Sequence, residues 1–375
     1  MPILSSLGNL KNRFKDIGLW QKKDESAAGI DIGSSSIKAV QLRKEKERAV
    51  LETYGELSLS RYVNAPIGQA VRLTDEKIME AIRDLKKEAG IKAKKTIVSI
   101  PLRHSFLTKI NLPLMSEAEL EKAIPFEVKR HIPVPVSEVV FGWQIISFPE
   151  NNTGLNEKTG MPKKQFTEIL LVAVYKDFIE KYKSIIKAAG FETIDFEIEV
   201  FSVSRSLIYR EPKPVLIIDL GAAKTKMTVI ENGILKNAHD FDRGFQDLTL
   251  SLSRSLSVDF ARAEGIKREI GLSNRPEHNE IKSSFDPILN YIFGETERLI
   301  GEYRRKEGNA ITKAYLSGGG SLLKGLPDFA VNKLGIETKL GDPFMKVEYP
   351  SLLEETLNQV GPIFATAVGL ALKDI

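Results

Sequence analysis

The chain has 375 residues, enough for two or three domains with large cores, and its 42% hydrophobic and 28% charged content is that of an ordinary globular protein. A net charge of +4 excludes an obviously nucleic-acid-binding surface, and the lack of cysteine excludes disulfides and thiolate metal sites, which fits a reducing compartment. No apolar run has the length of a membrane-spanning helix, the first residues have no signal-peptide core, and His104, His131, His239 and His278 are scattered without ligand spacing.

The first 25 residues form a distinct basic segment. Ile3, Leu7, Leu10, Phe14 and Ile17 recur at helical spacing among Lys11, Arg13, Lys15, Lys22 and Lys23. Such a stretch suits a membrane-surface or partner helix; the alternative is a helix packed on its own domain, or a frayed terminus. Residues 29–40, Gly-Ile-Asp-Ile-Gly-Ser-Ser-Ser-Ile-Lys-Ala-Val, then read as strand, small-residue turn and second strand. Asp31 ends the first strand, Gly33 to Ser36 make the turn, and Lys38 lies on the return. A tip without bulky side chains lets backbone N–H groups approach a phosphate. A carboxylate beside it can hold magnesium through water. A third strand is expected near 50–59 and a helix over 74–90, capped by Thr74 and ended by Gly90.

Residues 95–168 change character. Strands are expected at 96–100, 105–112, 139–148 and 166–175. A helix over 116–131 opens with the capping box Ser116-x-x-Glu119, and Pro125 inside it should kink it. Residues 149–164 are polar and read as a long hairpin loop. A second capping box, Asp177-x-x-Glu180, opens a helix over 177–190; a strand at 192–197 and a helix at 200–209 follow.

The phosphate-hairpin pattern returns 188 positions later, without a gap, over residues 217–229. Asp219 matches Asp31, Gly221 matches Gly33, Ala222 matches Ser34, and Lys226 matches Lys38. One copy is consistent with a glycine-turned core hairpin. Two in register imply two similar half-domains clamping one polyphosphate. Asn232-Gly233 signals a hairpin joining 225–231 to 234–241. Helices are expected at 245–256, 259–270 and 285–306. Residues 314–327 read as strand, triple-glycine turn (Gly318, Gly319, Gly320) and helix, where backbone can lie flat on a ligand or simply turn tightly. The last helix, 360–372, carries Ala365, Ala367, Gly369 and Ala371 and should pack closely on a neighbour.

These three glycine stretches, in this order, resemble the actin-like ATPase superfamily: two phosphate hairpins, a connecting helix and an adenosine loop. Within it the chain is similar to the PilM family of type IV pilus assembly, a relative of the cell-division protein FtsA. The segment 195–205, the block 95–168 with its Ser116 helix and Ile132-Pro133 exit, and the ending 361–372 carry that likeness. The resemblance covers about residues 27–372. It implies an α/β, duplicated ribonuclease-H-like fold in two halves. The division would be 26–94 as the first half, 95–168 as an inserted subdomain, 169–212 as the rest of the first half with the connecting helix, 213–358 as the second half with a helical part about 243–310, and 359–375 packing back on the first half.

Carried over, the resemblance implies ATP and Mg2+. Gly33, Ser34 and Ser35, with Lys38 behind, match the first phosphate loop. Gly221, Ala222 and Ala223, with the Thr225 hydroxyl nearby, match the second. Asp31 and Asp219 match the magnesium-organising carboxylates, and Glu199 matches the acidic residue that reaches metal or orients water. Glu264 and Lys267, at i and i+3, match ribose and adenine contacts, although such a pair is also a common solvated salt bridge. Gly318, Gly319 and Gly320 match the adenosine loop, with Lys324 nearby. Ala222 and Ala223 have no hydroxyl, so the second loop offers backbone donors alone. The implied function is a cytoplasmic, nucleotide-dependent scaffold, a slow ATPase at most. It would bind the tail of a PilN-like inner-membrane protein and other pilus-assembly components at the inner membrane's cytoplasmic face, and self-association is possible. The alternatives are an FtsA-like filament protein and an actin-fold small-molecule kinase.

Overall fold

A computed structural model describes residues 26–147 and 166–375. The basic segment 1–25 and the polar loop 149–164 lie outside the described residues. The described chain divides into two compact units, Pro101–Lys183 and a larger one that runs up to Ile100 and resumes at Ser184.

In the larger unit, β1 (Ser26–Ile32), β2 (Ser36–Glu45) and β3 (Arg48–Ser58) form an antiparallel meander, followed by α1 (Asp75–Glu88) and β4 (Lys95–Ile100). The Thr74 hydroxyl caps α1 by accepting the N–H of Lys77. β4 pairs in parallel with β1, so Lys95–Ile100 belongs to this sheet.

The smaller unit contains β5 (Ser105–Pro113), α2 (Glu117–His131), β6 (Val139–Ser147) and β7 (Phe166–Tyr175), in sheet order β5-β7-β6. Leu120, Ile124 and Val128 line the buried face of α2 and pack on Ile110, Ile169 and Leu171. The capping box at Ser116 forms as expected, and Pro125 is accommodated within one continuous helix. The second expected box does not cap its helix. α3 (Lys176–Ala188) follows β7 directly, so Asp177 already lies in the first turn.

The chain returns to the six-stranded sheet through β8 (Thr193–Ile198) and enters α4 (Glu199–Leu207). A second sheet follows: β9 (Val215–Leu220), β10 (Thr225–Glu231) and β11 (Ile234–Phe241), then α5 (Phe245–Leu256), α6 (Phe260–Ile270), α7 (Asn279–Glu307), β12 (Lys313–Ser317), α8 (Leu326–Leu334) and β13 (Glu337–Leu340). β14 (Val347–Glu348), α9 (Glu354–Val360) and α10 (Ala365–Ala371) complete the chain. Asn232 and Gly233 both have positive φ, which gives the tight turn between β10 and β11 a twist that matches the strands. α7 starts at Asn279, earlier than expected, with Pro287 inside it.

The sheet orders are β14-β3-β2-β1-β4-β8 and β11-β10-β9-β12-β13. Without the two-residue β14, each sheet has an antiparallel meander extended by two parallel strands in the same sequence. The gap-free repeat is therefore a repeat of topology. A core of Leu216, Ile218, Phe245, Leu248, Phe285 and Phe293 lies between the second sheet and its helices. Ala28, Ile37, Ile82, Leu85 and Ile186 pack one face of the first sheet, and Val40, Leu42, Phe344, Ala367 and Val368 pack another part of it.

α4 and α10 are packed on one another; α10 also touches β1, β2 and β4, while α4 reaches β10. This close approach explains the small residues of the last helix. A Cβ on Gly369 would overlap the Ser202 carbonyl, and one on Gly29 would overlap the Ala367 carbonyl. Arg205 of α4 makes paired 2.6 Å bonds to Glu197 and a 2.7 Å bond to the Gly369 carbonyl.

Candidate functional site

The two hairpin tips close in the same way. Gly33 N–H donates to the Ser36 carbonyl at 3.1 Å, and Gly221 N–H donates to the Lys224 carbonyl at 2.9 Å. A Cβ on either glycine would stand 2.8 Å or 2.9 Å from the same carbonyl. The N–H groups of Ser34, Ser35, Ala222 and Ala223 have no partner among the described residues. Four unpaired donors on two tips are the kind of group that binds an anion. The carbonyls of the tips serve another purpose. Leu59 and Val71 N–H donate to Ser35 and Ser34, while Phe245 and Gln246 N–H at the start of α5 donate to Gly221 and Ala222. Gly244 is pressed against Ala222 so closely that a Cβ would overlap its carbonyl.

The carboxylates lie at matching registers. Asp31 faces Lys38 across β1 and β2, and Asp219 faces Lys226 across β9 and β10. Asp31 accepts the Ser99 hydroxyl at 2.9 Å. Lys38 donates to Ser36 Oγ at 2.7 Å and lies 3.6 Å from Glu56. Lys226 instead meets Asp219 at 2.8 Å and Glu199 at 2.6 Å. Glu199 is the first residue of α4, and its side chain is buried. Burial pushes its carboxyl up; Lys226 opposes this, and Asp219 and Asp31 add to it. Burial alone would lower Lys226, but Asp219, Glu199 and Asp31 outweigh it and hold the ammonium above the usual lysine range.

The residues expected to organise hydrated magnesium thus do not form a metal centre by themselves. Asp219 is ion-paired, Asp31 is hydrogen-bonded, and among the described residues no three His, Cys, Asp or Glu side chains group as a metal would need.

Thr225 is buried, with its hydroxyl donating to the Arg243 carbonyl at 2.9 Å. Glu264 and Lys267 are ion-paired at 2.7 Å and buried between α5 and α6. Thr249 donates to Glu264 at 2.6 Å, Arg268 at 2.7 Å, and Lys267 also reaches the Phe245 carbonyl at 3.1 Å. Burial would raise Glu264, but Lys267, Thr249 and Arg268 outweigh it and hold the carboxyl below its usual range. Gly318 has φ +79° and lies against Asp219 and Leu220, and Gly320 packs on the Phe245 ring. The triple-glycine loop therefore rests on the second hairpin and the start of α5. A one-turn 3-10 helix over Gly319–Leu322 precedes α8. Lys324 turns away and donates to the Glu269 carbonyl at 2.8 Å.

Several participants are not marked in the sequence. Lys226 matches Lys38 in the repeat, which by itself assigns it no role in the site. Ser99 sits on β4, where nothing local marks it. The loop before α1 also crosses to the second half: Ala70 N–H donates to Gln246 Oε1 at 3.0 Å, and Gly68, at φ +89°, abuts the Glu264 carboxylate. Only the positive φ requirement at Gly68 leaves a trace in the sequence.

Comparison with known proteins agrees with this architecture. Cell division protein FtsA of Neisseria meningitidis serogroup B is 20% identical, over 91% of this chain and 88% of its own length. A solved PilM-PilN type IV pilus biogenesis complex superposes with a TM-score of 0.74 at 22% identity, over 93% of this chain and 98% of that one. Ethanolamine utilization protein EutJ from Carboxydothermus hydrogenoformans superposes with a TM-score of 0.53 at 17% identity, over 99% and 97%. The fold is the two-domain actin-like ATPase fold. The family model for type IV pilus assembly protein PilM matches residues 29–375, and the chain belongs to that family.

Proposed function

We propose that this protein is a nucleotide-gated scaffold of type IV pilus assembly. The polyphosphate of ATP would lie between the two hairpin tips. One observation carries this: at equivalent places in two equally ordered sheets, the same glycine-closed turn leaves N–H groups unpaired on both tips. The loop of Gly318, Gly319 and Gly320, stacked on the second hairpin, supports an adenosine site beside Glu264 and Lys267. Nucleotide held by both halves favours one arrangement of them, which is how a ligand gates a scaffold. Hydrolysis would be slow. Glu199, the candidate for orienting water, is buried against Lys226 rather than presented as an open base.

The relative solved as a PilM-PilN complex suggests the partner. In this reading the tail of a PilN-like inner-membrane protein docks on the smaller unit. There β5 and β6 are the sheet edges and Leu114 and Phe126 are exposed, Phe126 by 67%. Association with the inner membrane's cytoplasmic face, and with other assembly components, would follow through that tail. Among the described residues no helix is long and apolar enough to cross a membrane.

The test mixes purified protein with stoichiometric labelled ATP and follows the bound label over time. Intact ATP retained for many minutes supports the scaffold. Rapid repeated turnover points to an enzyme, and failure to bind rejects the nucleotide site. Pull-down by the partner tail, lost in Leu114→Glu and Phe126→Glu with folding intact, tests the docking surface; retained binding rejects it.

A further inference from the structure

The two hairpins repeat each other in register but not in charge. In the first, Ser36 draws the Lys38 ammonium along its own strand, 2.7 Å from the hydroxyl, and Ser99 serves Asp31. In the second, Lys224 stands where Ser36 would, and its ammonium is held by Asp240 and Asp242 at 2.8 Å each. No hydroxyl diverts Lys226, whose ammonium lies between Asp219 and Glu199. Its side chain is 18% exposed, and those of Glu199 and Asp219 are 9% and 16% exposed.

A divalent ion entering between these two carboxylates would meet a like charge within the same few ångströms, in a place poorly screened by water. It would also find donors already engaged by N–H groups, whereas magnesium requires near-octahedral oxygens and gives up its water reluctantly. Displacing the ammonium would strand it in a buried strand without its partners. The positive charge that a metal would supply is already there, held against Asp219 and Glu199.

We propose that Lys226 is a resident cation of the cleft. It fills the position a divalent metal would need, so the protein takes no metal there by itself and binds nucleotide with little dependence on magnesium. The second half of this statement rests on the nucleotide reading above, whereas the first stands without it.

The test has two arms on the wild-type chain and one on variants. Manganese is titrated into nucleotide-free protein and followed by electron paramagnetic resonance. ATP affinity is then measured in excess magnesium and in EDTA. We expect no stoichiometric manganese site, and less than about a fivefold change in ATP affinity. Lys226→Arg should behave like wild type, and Lys226→Gln should gain manganese binding or magnesium dependence. One manganese bound per wild-type chain, or a loss of about fivefold or more in EDTA, overturns the proposal. If ATP binds under neither condition, the nucleotide reading falls, and the manganese arm alone decides whether Lys226 excludes a metal.

Discussion

The Glu199 carboxylate and the Lys226 ammonium meet at 2.6 Å, joining the first turn of α4 to the second strand of the second hairpin. Because Glu199 is buried and the Lys226 side chain is only 18% exposed, removing one partner costs far more than removing both. Lys226→Ala should destabilise the protein by roughly 3–5 kcal/mol, since it leaves Asp219 and Glu199 facing each other without a cation. Glu199→Gln combined with Lys226→Ala should cost clearly less than the sum of the single changes. A double-mutant cycle in urea checks this; additive costs would mean that the pair is not coupled.

The contact between α4 and α10 gives a second prediction. Gly369 lies on the Ser202 backbone, where an added Cβ would overlap the carbonyl oxygen and cannot be relieved by rotating a side chain. Gly369→Ala should therefore destabilise by roughly 1–3 kcal/mol, the usual cost of overpacking, although alanine is the better helix former. Gly294, inside α7, has open space around its Cβ position. Gly294→Ala should be neutral or stabilising by up to about 1 kcal/mol. Thermal melts of the two variants decide: equal effects would show that α10 does not dock as described.

Much of this was legible locally. The repeat at Asp31 and Asp219 located both hairpins and implied the matching sheets, because strand–turn–strand sequences carry their own pattern. Asn232-Gly233, Thr74 and Ser116 marked turns and caps whose bonds are made within a few residues. The misses needed distant partners. β13 and β14 are short and mostly exposed, and they form only because β12 and β3 offer edges. Asp177 has the spacing of a cap, yet β7 runs into α3 before it can act as one. Likewise, Lys226 differs from Lys38 through Ser36, Lys224 and Glu199, and only folding brings Glu199 to it.

Lys346 gives a pH prediction. Its ammonium donates to the Arg205 and Ile208 carbonyls at 2.6 Å each, at the end of α4. Burial, with the Arg205 charge adding to it, lowers its pKa to about 8. The unfolded value is about 10.4, so between the two the unfolded chain holds a proton that the folded chain has lost. Raising the pH through this window therefore favours the folded state. The stability of wild type relative to Lys346→Met should rise between pH 8 and pH 10, by less than about 1.4 kcal/mol per pH unit because the group is partly solvated. Chemical denaturation at several pH values measures it; a flat or falling difference would contradict the assignment.

The triple-glycine loop separates stability from binding at adjacent residues. Gly318 has φ +79°, and a Cβ there would stand 2.5 Å from Asp219 Oδ1 and 2.7 Å from the Leu220 carbonyl. Gly318→Ala combines backbone strain with a clash and should cost roughly 2–4 kcal/mol. Gly319 has no positive φ and no heavy atom within 4 Å of its Cβ position. Gly319→Ala should leave stability within about 0.5 kcal/mol of wild type. If adenosine rests on this loop, the added methyl stands where the ligand must lie flat, and ATP affinity should fall about tenfold or more at unchanged stability. Unchanged affinity in Gly319→Ala, measured beside an unchanged melting temperature, would place the adenosine elsewhere and leave the loop as a tight turn on Asp219.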